Sequence, residues 1–223
     1  KNQIRSNYDI QADDARRLFL GYDQQQIIKR YRLSADEQWL YLEYLHIPCR
    51  ISRSSGILEM QERQDVWKEC RDFNTVMTIY DLLCYAKGDT APALSGKWCT
   101  VGHFAAVTSP SASGFTKKYE AVFLNRVKEV ETACKSLGGI LQKRMAGADI
   151  MCLIPVTSYF PVLLQFWDGD EEFPPKLSLL WDRNAMEFLH FETTFYLQED
   201  ILERLGREMQ AKQERKSLEE RTR

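Results

Sequence analysis

The chain has 223 residues, 44% hydrophobic and 28% charged, and its 30 Lys+Arg against 32 Asp+Glu give a net charge of -2. That apolar content at near-zero charge excludes disorder as the main state, and the balance excludes the broadly basic surface of a non-specific nucleic-acid binder. The length suits a single α+β domain over 1–205 followed by a charged helical extension over 206–223.

In chain order, residues 10–31 read as helical, in two pieces broken near Gly21. Alternating bulky residues predict a strand over 39–45, a second over 47–53, a turn at Ser54-Ser55-Gly56 and a short strand over 57–60. Phe73, Val76, Met77, Tyr80, Leu83 and Cys84 recur at helical spacing, with Gly88 where a C-terminal cap belongs. A small-residue loop is expected over 108–114. One long amphipathic helix then carries Tyr119, Val122, Phe123, Val127, Val130, Cys134 and Leu137, with Thr116 as N-cap and Gly138-Gly139 as its stop.

Residues 150–167 are a charge-free run of 18, the lower limit for a bilayer span. Pro155 and Pro161 would interrupt such a helix twice, so the run reads as two buried strands, 150–156 and 162–167, turning at Thr157-Ser158-Tyr159. A strand over 176–181 pairs with the second of them, which puts Asp182 at the opposite end from Asp168. A last helix is expected from about Leu197, with Ile201, Leu202, Leu205 and Met209 as its apolar face and Glu203/Arg207, Glu208/Lys212 and Glu219/Arg223 as i, i+4 pairs. Because strands and helices do not alternate, the fold class is α+β, a mixed, mainly antiparallel sheet flanked by helices with a charged C-terminal helix.

The six cysteines, Cys49, Cys70, Cys84, Cys99, Cys134 and Cys152, form no CxxC and read as reduced core thiols. No GxGxxG, phosphate loop, HExxH or GxSxG is present. Two clusters remain. Asp168, Asp170, Glu171 and Glu172 crowd a hairpin tip and are the kind of oxygen ligands a divalent cation takes; Phe173 and Leu179 stand where a calcium loop needs glycine and glutamate, so this is not an EF-hand. His190 and Glu192, two residues apart, share a face of an extended chain and suit a metal or an acid–base pair. Cys99 with His103 is a poor nucleophile pair, and His46 and His103 read as structural.

Ile79-Tyr-Asp-Leu-Leu-Cys-Tyr85, Leu94-Ser-Gly-Lys-Trp98, the helix end at Ala133-Cys-Lys-Ser-Leu-Gly-Gly139, and above all residues 161–174 through Leu180-Trp-Asp182 and His190 resemble an uncharacterised bacterial domain-of-unknown-function family, found mostly in anaerobes. Its signature is Trp-x-x-Asp-Glu-Glu-Phe-Pro, here Trp167 to Pro174, and the resemblance runs to about Leu205. It implies no established reaction. Some longer members look fused to a corrinoid-type iron–sulfur module, which points to tetrapyrrole or one-carbon metabolism; this chain lacks the clustered cysteines of such a module.

The expectation is a cytoplasmic, non-catalytic accessory protein that binds a small ligand or cofactor, with a divalent metal or a tetrapyrrole or corrinoid as the cofactors considered. His190 would be the axial or metal ligand, Trp167, Trp181 and Tyr196 would wall an apolar pocket, and Asp168, Asp170, Glu171, Glu172, His190 and Glu192 would be the metal-ligating set. A divalent-metal-dependent hydrolase is the alternative, and a protein–protein interaction module the second. Neither nucleic acid nor membrane is expected as a partner.

Overall fold

The computed structural model describes residues 7–105, 113–145 and 147–221. Helix α1 (Asn7–Gly21) is separate from α2 (Gln24–Tyr31) because Asp23 caps α2, its carboxylate accepting the N–H groups of Gln25 and Gln26 at 2.9 and 3.1 Å. Five strands then form an antiparallel meander in sequential order: β1 (Ser34–Ala35), β2 (Trp39–Tyr44), β3 (Ile47–Ser52), β4 (Leu58–Arg63) and β5 (Val66–Glu69). Alternation turns Leu40, Leu42, Tyr44, Cys49, Ile51 and Leu58 inward. On the outer face the Arg50 guanidinium lies between the rings of Trp39 and Trp67, at 3.9 and 4.5 Å, and pairs with Glu59 at 2.6 Å.

The β2–β3 turn puts two non-glycine residues, Leu45 and His46, at positive φ (47° and 66°). Burial of the Leu45 side chain and a 2.9 Å bond from its N–H to the Val156 carbonyl hold that conformation, and the same bond ties the meander to a second sheet. Helix α3 (Phe73–Cys84) is capped by Asp72 and ends at Tyr85, not at Gly88, which instead turns the following loop at φ 82°.

The second sheet comprises β6 (Trp98–Thr100), β7 (Ile140–Leu141), β8 (Ile150–Thr157), β9 (Phe160–Trp167) and β10 (Lys176–Asp182) in the order β6-β10-β9-β8-β7, again wholly antiparallel. The α+β class holds, with two sheets in place of one. The charge-free run is the β8–β9 hairpin, and among the described residues no helix is long and apolar enough to cross a membrane.

The single helix expected after residue 116 is two, α4 (Ser113–Phe123) and α5 (Val127–Ser136), broken where Asn125 takes φ 59°. Thr116 lies inside α4, where its hydroxyl bonds Glu120; it is not the cap. Of the expected loop over 108–114, residues 108–112 lie outside those described, and 113–114 belong to α4. The stop at Gly138-Gly139 holds, with their N–H groups returning to Lys135 and Cys134 carbonyls at 3.0 and 2.9 Å.

Helix α6 (Phe191–Arg221) starts six residues before the expected Leu197. It packs against α3, α4 and α5, and Leu197, Ile201, Leu202, Leu205 and Met209 are fully buried, so its core-facing stretch continues past the expected boundary at 205. Its buried Asp200 accepts from Tyr44, Thr75 and Arg204 at 2.7, 2.7 and 2.6 Å, joining the first sheet, α3 and α6.

Candidate functional site

The bonds Thr75–Asp200 at one end and Asp81–Thr193 at the other show that α3 and α6 run antiparallel. Where α6 begins, they leave a cavity of about 440 Å³ closed on a third side by α1. Leu18 and Tyr22 come from α1 and the residue after it, Met77, Tyr80 and Asp81 from α3, Tyr85 and Lys87 from its exit, and His190, Glu192 and Tyr196 from the start of α6.

Asp81 organises this site. Its Oδ1 lies 2.7 Å from His190 Nδ1, while Oδ2 accepts the His190 backbone N–H at 2.8 Å and the Thr193 hydroxyl at 2.6 Å, so a carboxylate on α3 caps α6. An ionised carboxylate only accepts, so in the neutral ring Nδ1 carries the hydrogen and Nε2 the free lone pair. Nε2 has no hydrogen-bond partner among the described residues. The Tyr85 ring meets the imidazole edge-on at 4.3 Å and fixes its orientation.

The other polar groups divide into engaged and free. Lys87 Nζ donates to Tyr22 Oη and the Cys84 carbonyl, both at 3.2 Å, and sits 4.5 Å over the Tyr22 ring. Glu192 is exposed and makes no hydrogen bond or ion pair within the described residues. Burial, reinforced by the Asp81 charge, pushes the Cys84 thiol up to about 12, so it faces the cavity as a thiol and not as a nucleophilic thiolate.

Of the residues singled out from sequence, His190, Glu192 and Tyr196 come together here. They do so on a helix start and not on an extended chain, since Glu192 already lies in the first turn of α6. Trp181 does not reach the cavity: it is fully buried under β10 against Phe160, at 6.4 Å. Trp167 packs on the outer face of the second sheet with Met151 and Leu163, and Lys176 Nζ lies 5.1 Å over its ring.

The acidic hairpin tip is separate as well. Asp168 Oδ1 accepts from Asn125 N–H at 2.8 Å and so fixes the α4–α5 break, while Asp170 Oδ1 accepts from the N–H groups of Glu172 and Phe173 at 2.8 and 2.7 Å. These two carboxylates shape the loop, and Glu171 and Glu172 project from it exposed. The proposed metal set of Asp168, Asp170, Glu171, Glu172, His190 and Glu192 is thus split between two places. Among the described residues no three His, Cys, Asp or Glu side chains are grouped to hold a metal ion. Cys99 bonds the Trp181 carbonyl at 3.6 Å, and His103 lies against Phe104, so those two do not pair.

Asp81, Tyr85, Lys87 and Tyr22 were not picked out as site residues. Asp81 left a signal, a lone carboxylate in the apolar stripe of Met77, Tyr80 and Cys84, and it lies with Tyr85 in the segment 79–85 that carries part of the family resemblance; nothing local marked Lys87 and Tyr22.

The family model described as Domain of unknown function (DUF3786) matches residues 23–204. The chain belongs to this family. Comparison with curated proteins and with solved structures gave no match. In this DUF3786 chain Asp81 and His190 fall within the matched span, whereas α1 and Tyr22, which complete the cavity wall, precede it.

Proposed function

We propose that this DUF3786 chain is a non-catalytic accessory protein that binds a compact small ligand or cofactor between α1, α3 and α6, with His190 Nε2 as the contacting atom. The observation that carries this reading is the Asp81–His190 pair: a carboxylate behind one ring nitrogen orients the other, as behind metal-bound histidines. A volume of about 440 Å³ lies in the lower half of the range for small-molecule sites. An imidazole so backed also suits an axial ligand of a tetrapyrrole or corrinoid metal, but a cavity of this size encloses only an edge of such a macrocycle. The six free thiols support a reducing, cytoplasmic setting.

A divalent-metal hydrolase is the second reading, favoured by Glu192 beside His190. It is weaker because both Asp81 oxygens are already engaged, which leaves Glu192 as the one free carboxylate at the cavity among the described residues.

The test is titration of the full chain with Zn²⁺, haemin and aquocobalamin in turn, followed by absorption or calorimetry, alongside native mass spectrometry for a co-purifying ligand. Binding lost in His190→Ala and weakened about 10- to 100-fold in Asp81→Asn supports the reading. Titrations and native spectra that are identical in wild type and both variants overturn it.

A further inference from the structure

We propose that the outer face of the second sheet is a self-association surface, covered in solution by a second copy of this chain related by a two-fold axis. The inference is independent of the ligand cavity. Antiparallel strands with one solvated face alternate apolar and polar residues, whereas a continuous apolar run belongs to strands buried on both faces. The β8–β9 hairpin is of the second kind, without a charge from Ile150 to Trp167. Its inner side, with Cys152, Ile154, Val162, Leu164 and Phe166, is fully buried. On its outer side the strand registers align Ile140, Leu153, Leu163 and Leu180 in one aliphatic row across β7, β8, β9 and β10. The apolar cluster on that side, centred on Met151 and Leu163, draws only on strands and on the loop before β8; none of the described helices contributes to it. Ile140 and Met145 at its border are 58% and 64% exposed.

Charge complementarity favours a second copy as the occupant. Two loops leave the sheet at the same end, since Ile150 pairs with Phe166 and Phe166 with Leu177. The loop 168–175 joins β9 to β10 and carries exposed Glu171, Glu172 and Phe173; the loop 142–149 joins β7 to β8 and carries exposed Lys143, Arg144 and Met145. Asp149, the one carboxylate of the basic loop, is already engaged by the Asp168 N–H at 2.8 Å. In the order β6-β10-β9-β8-β7 the two loops flank the β8–β9 pair on opposite sides. A two-fold axis parallel to the strands and passing between β8 and β9 keeps this end in place and exchanges the sides. It lays the aliphatic row on the same row of the second copy, with the sheets about 10 Å apart. It also sets each acidic tip against a basic loop, so the contact is made twice, as in any isologous dimer. Phe173 on the acidic tip then meets Met145 on the basic loop, a ring against a thioether.

Sedimentation velocity of the full chain over a concentration series should show a monomer–dimer equilibrium that weakens as salt is added. Ile140→Glu changes a side chain exposed in the single chain, so it should keep the wild-type circular dichroism while weakening the dimer by about tenfold or more. Lys143→Glu with Arg144→Glu should weaken it by about as much, and adding Glu171→Lys with Glu172→Lys should restore it, because unlike charges again face each other. Carbodiimide coupling of mixed ¹⁴N and ¹⁵N chains should join Lys143 to Glu171 or Glu172 in peptides of mixed isotope. A monomer at every concentration overturns the proposal, whether another protein covers the face or nothing does. A dimer left intact by both Ile140→Glu and the charge reversal overturns it as well, since the interface then lies elsewhere.

Discussion

Asp81 on α3 and His190 at the head of α6 are 109 residues apart in the chain, and their side chains meet at 2.7 Å. One carboxylate both orients an imidazole and caps a 31-residue helix. Asp81→Ala should therefore lower stability by about 1–2 kcal/mol as well as release the ring. Urea unfolding reads the first effect. For the second, ¹⁵N NMR of His190 should show the Nδ1–H tautomer in wild type and a mixture in the variant; an unchanged tautomer would refute the assignment.

A second charged group sits deeper. Asp200 is 2% exposed and neutralises Arg204, while the Tyr44 phenol is held well above its ordinary value, by burial first and then by the Asp200 charge. Asp200→Ala strands the guanidinium and should cost about 3–5 kcal/mol. Pairing it with Arg204→Met should recover part of that loss, because no buried charge then remains uncompensated. A double variant no more stable than the single one would show that the network contributes through something other than charge pairing.

Asp182 makes the acid limb of the stability profile predictable. Burial alone would raise its carboxyl, but hydrogen bonds from the N–H groups of Asn184, Ser95 and Gly96 and from the Ser95 hydroxyl outweigh it and hold the group below its ordinary value. A folded value below the unfolded one means the stabilisation is complete above the ordinary carboxylate range and is lost as pH falls below about 4. Asp182→Asn should thus be less stable than wild type at neutral pH and lose less on acidification. Urea midpoints for both proteins across that window provide the check, and parallel slopes would remove Asp182 from the acid response.

The two glycines Gly21 and Gly139 should respond oppositely to alanine. At Gly139 the new methyl meets the Cys134 carbonyl and the Cys152 sulfur, so overpacking of about 1–3 kcal/mol is expected. Gly21 ends α1 with nothing within 4 Å, and Ala there should be neutral or gain up to about 1 kcal/mol. Thermal melts of the two variants give the comparison.

Three carboxylates in the segment that carries the family resemblance bind backbone N–H groups. Asp168 and Asp170 bind backbone N–H groups of a helix break and of their own loop, and Asp182 pins the Ser95-Gly96 turn. Clustered carboxylates look alike in sequence whether they await a cation or cap a chain, because both uses need the same oxygen lone pairs. The candidate site at the α3–α6 cavity rests on Asp81, whose partner His190 lies far along the chain.

Local chemistry in the sequence was sufficient for the α+β class, the β8–β9 hairpin, the β2–β3–β4 meander and the helix stop at Gly138-Gly139, since periodicity, proline and glycine act within a few residues. The split at Asn125, the early start of α6 and the division into two sheets were decided by tertiary structure. Each depends on a group from elsewhere: the Asp168 carboxylate for Asn125, the Asp81 cap for α6, the Leu45–Val156 bond for the junction of the sheets. Such bonds form only after the chain has packed, because the contacts that position their donors and acceptors are long-range. His190 and Glu192 were readable as chemistry-bearing residues; which carboxylate stands behind the imidazole, and which helices close the cavity around it, was not.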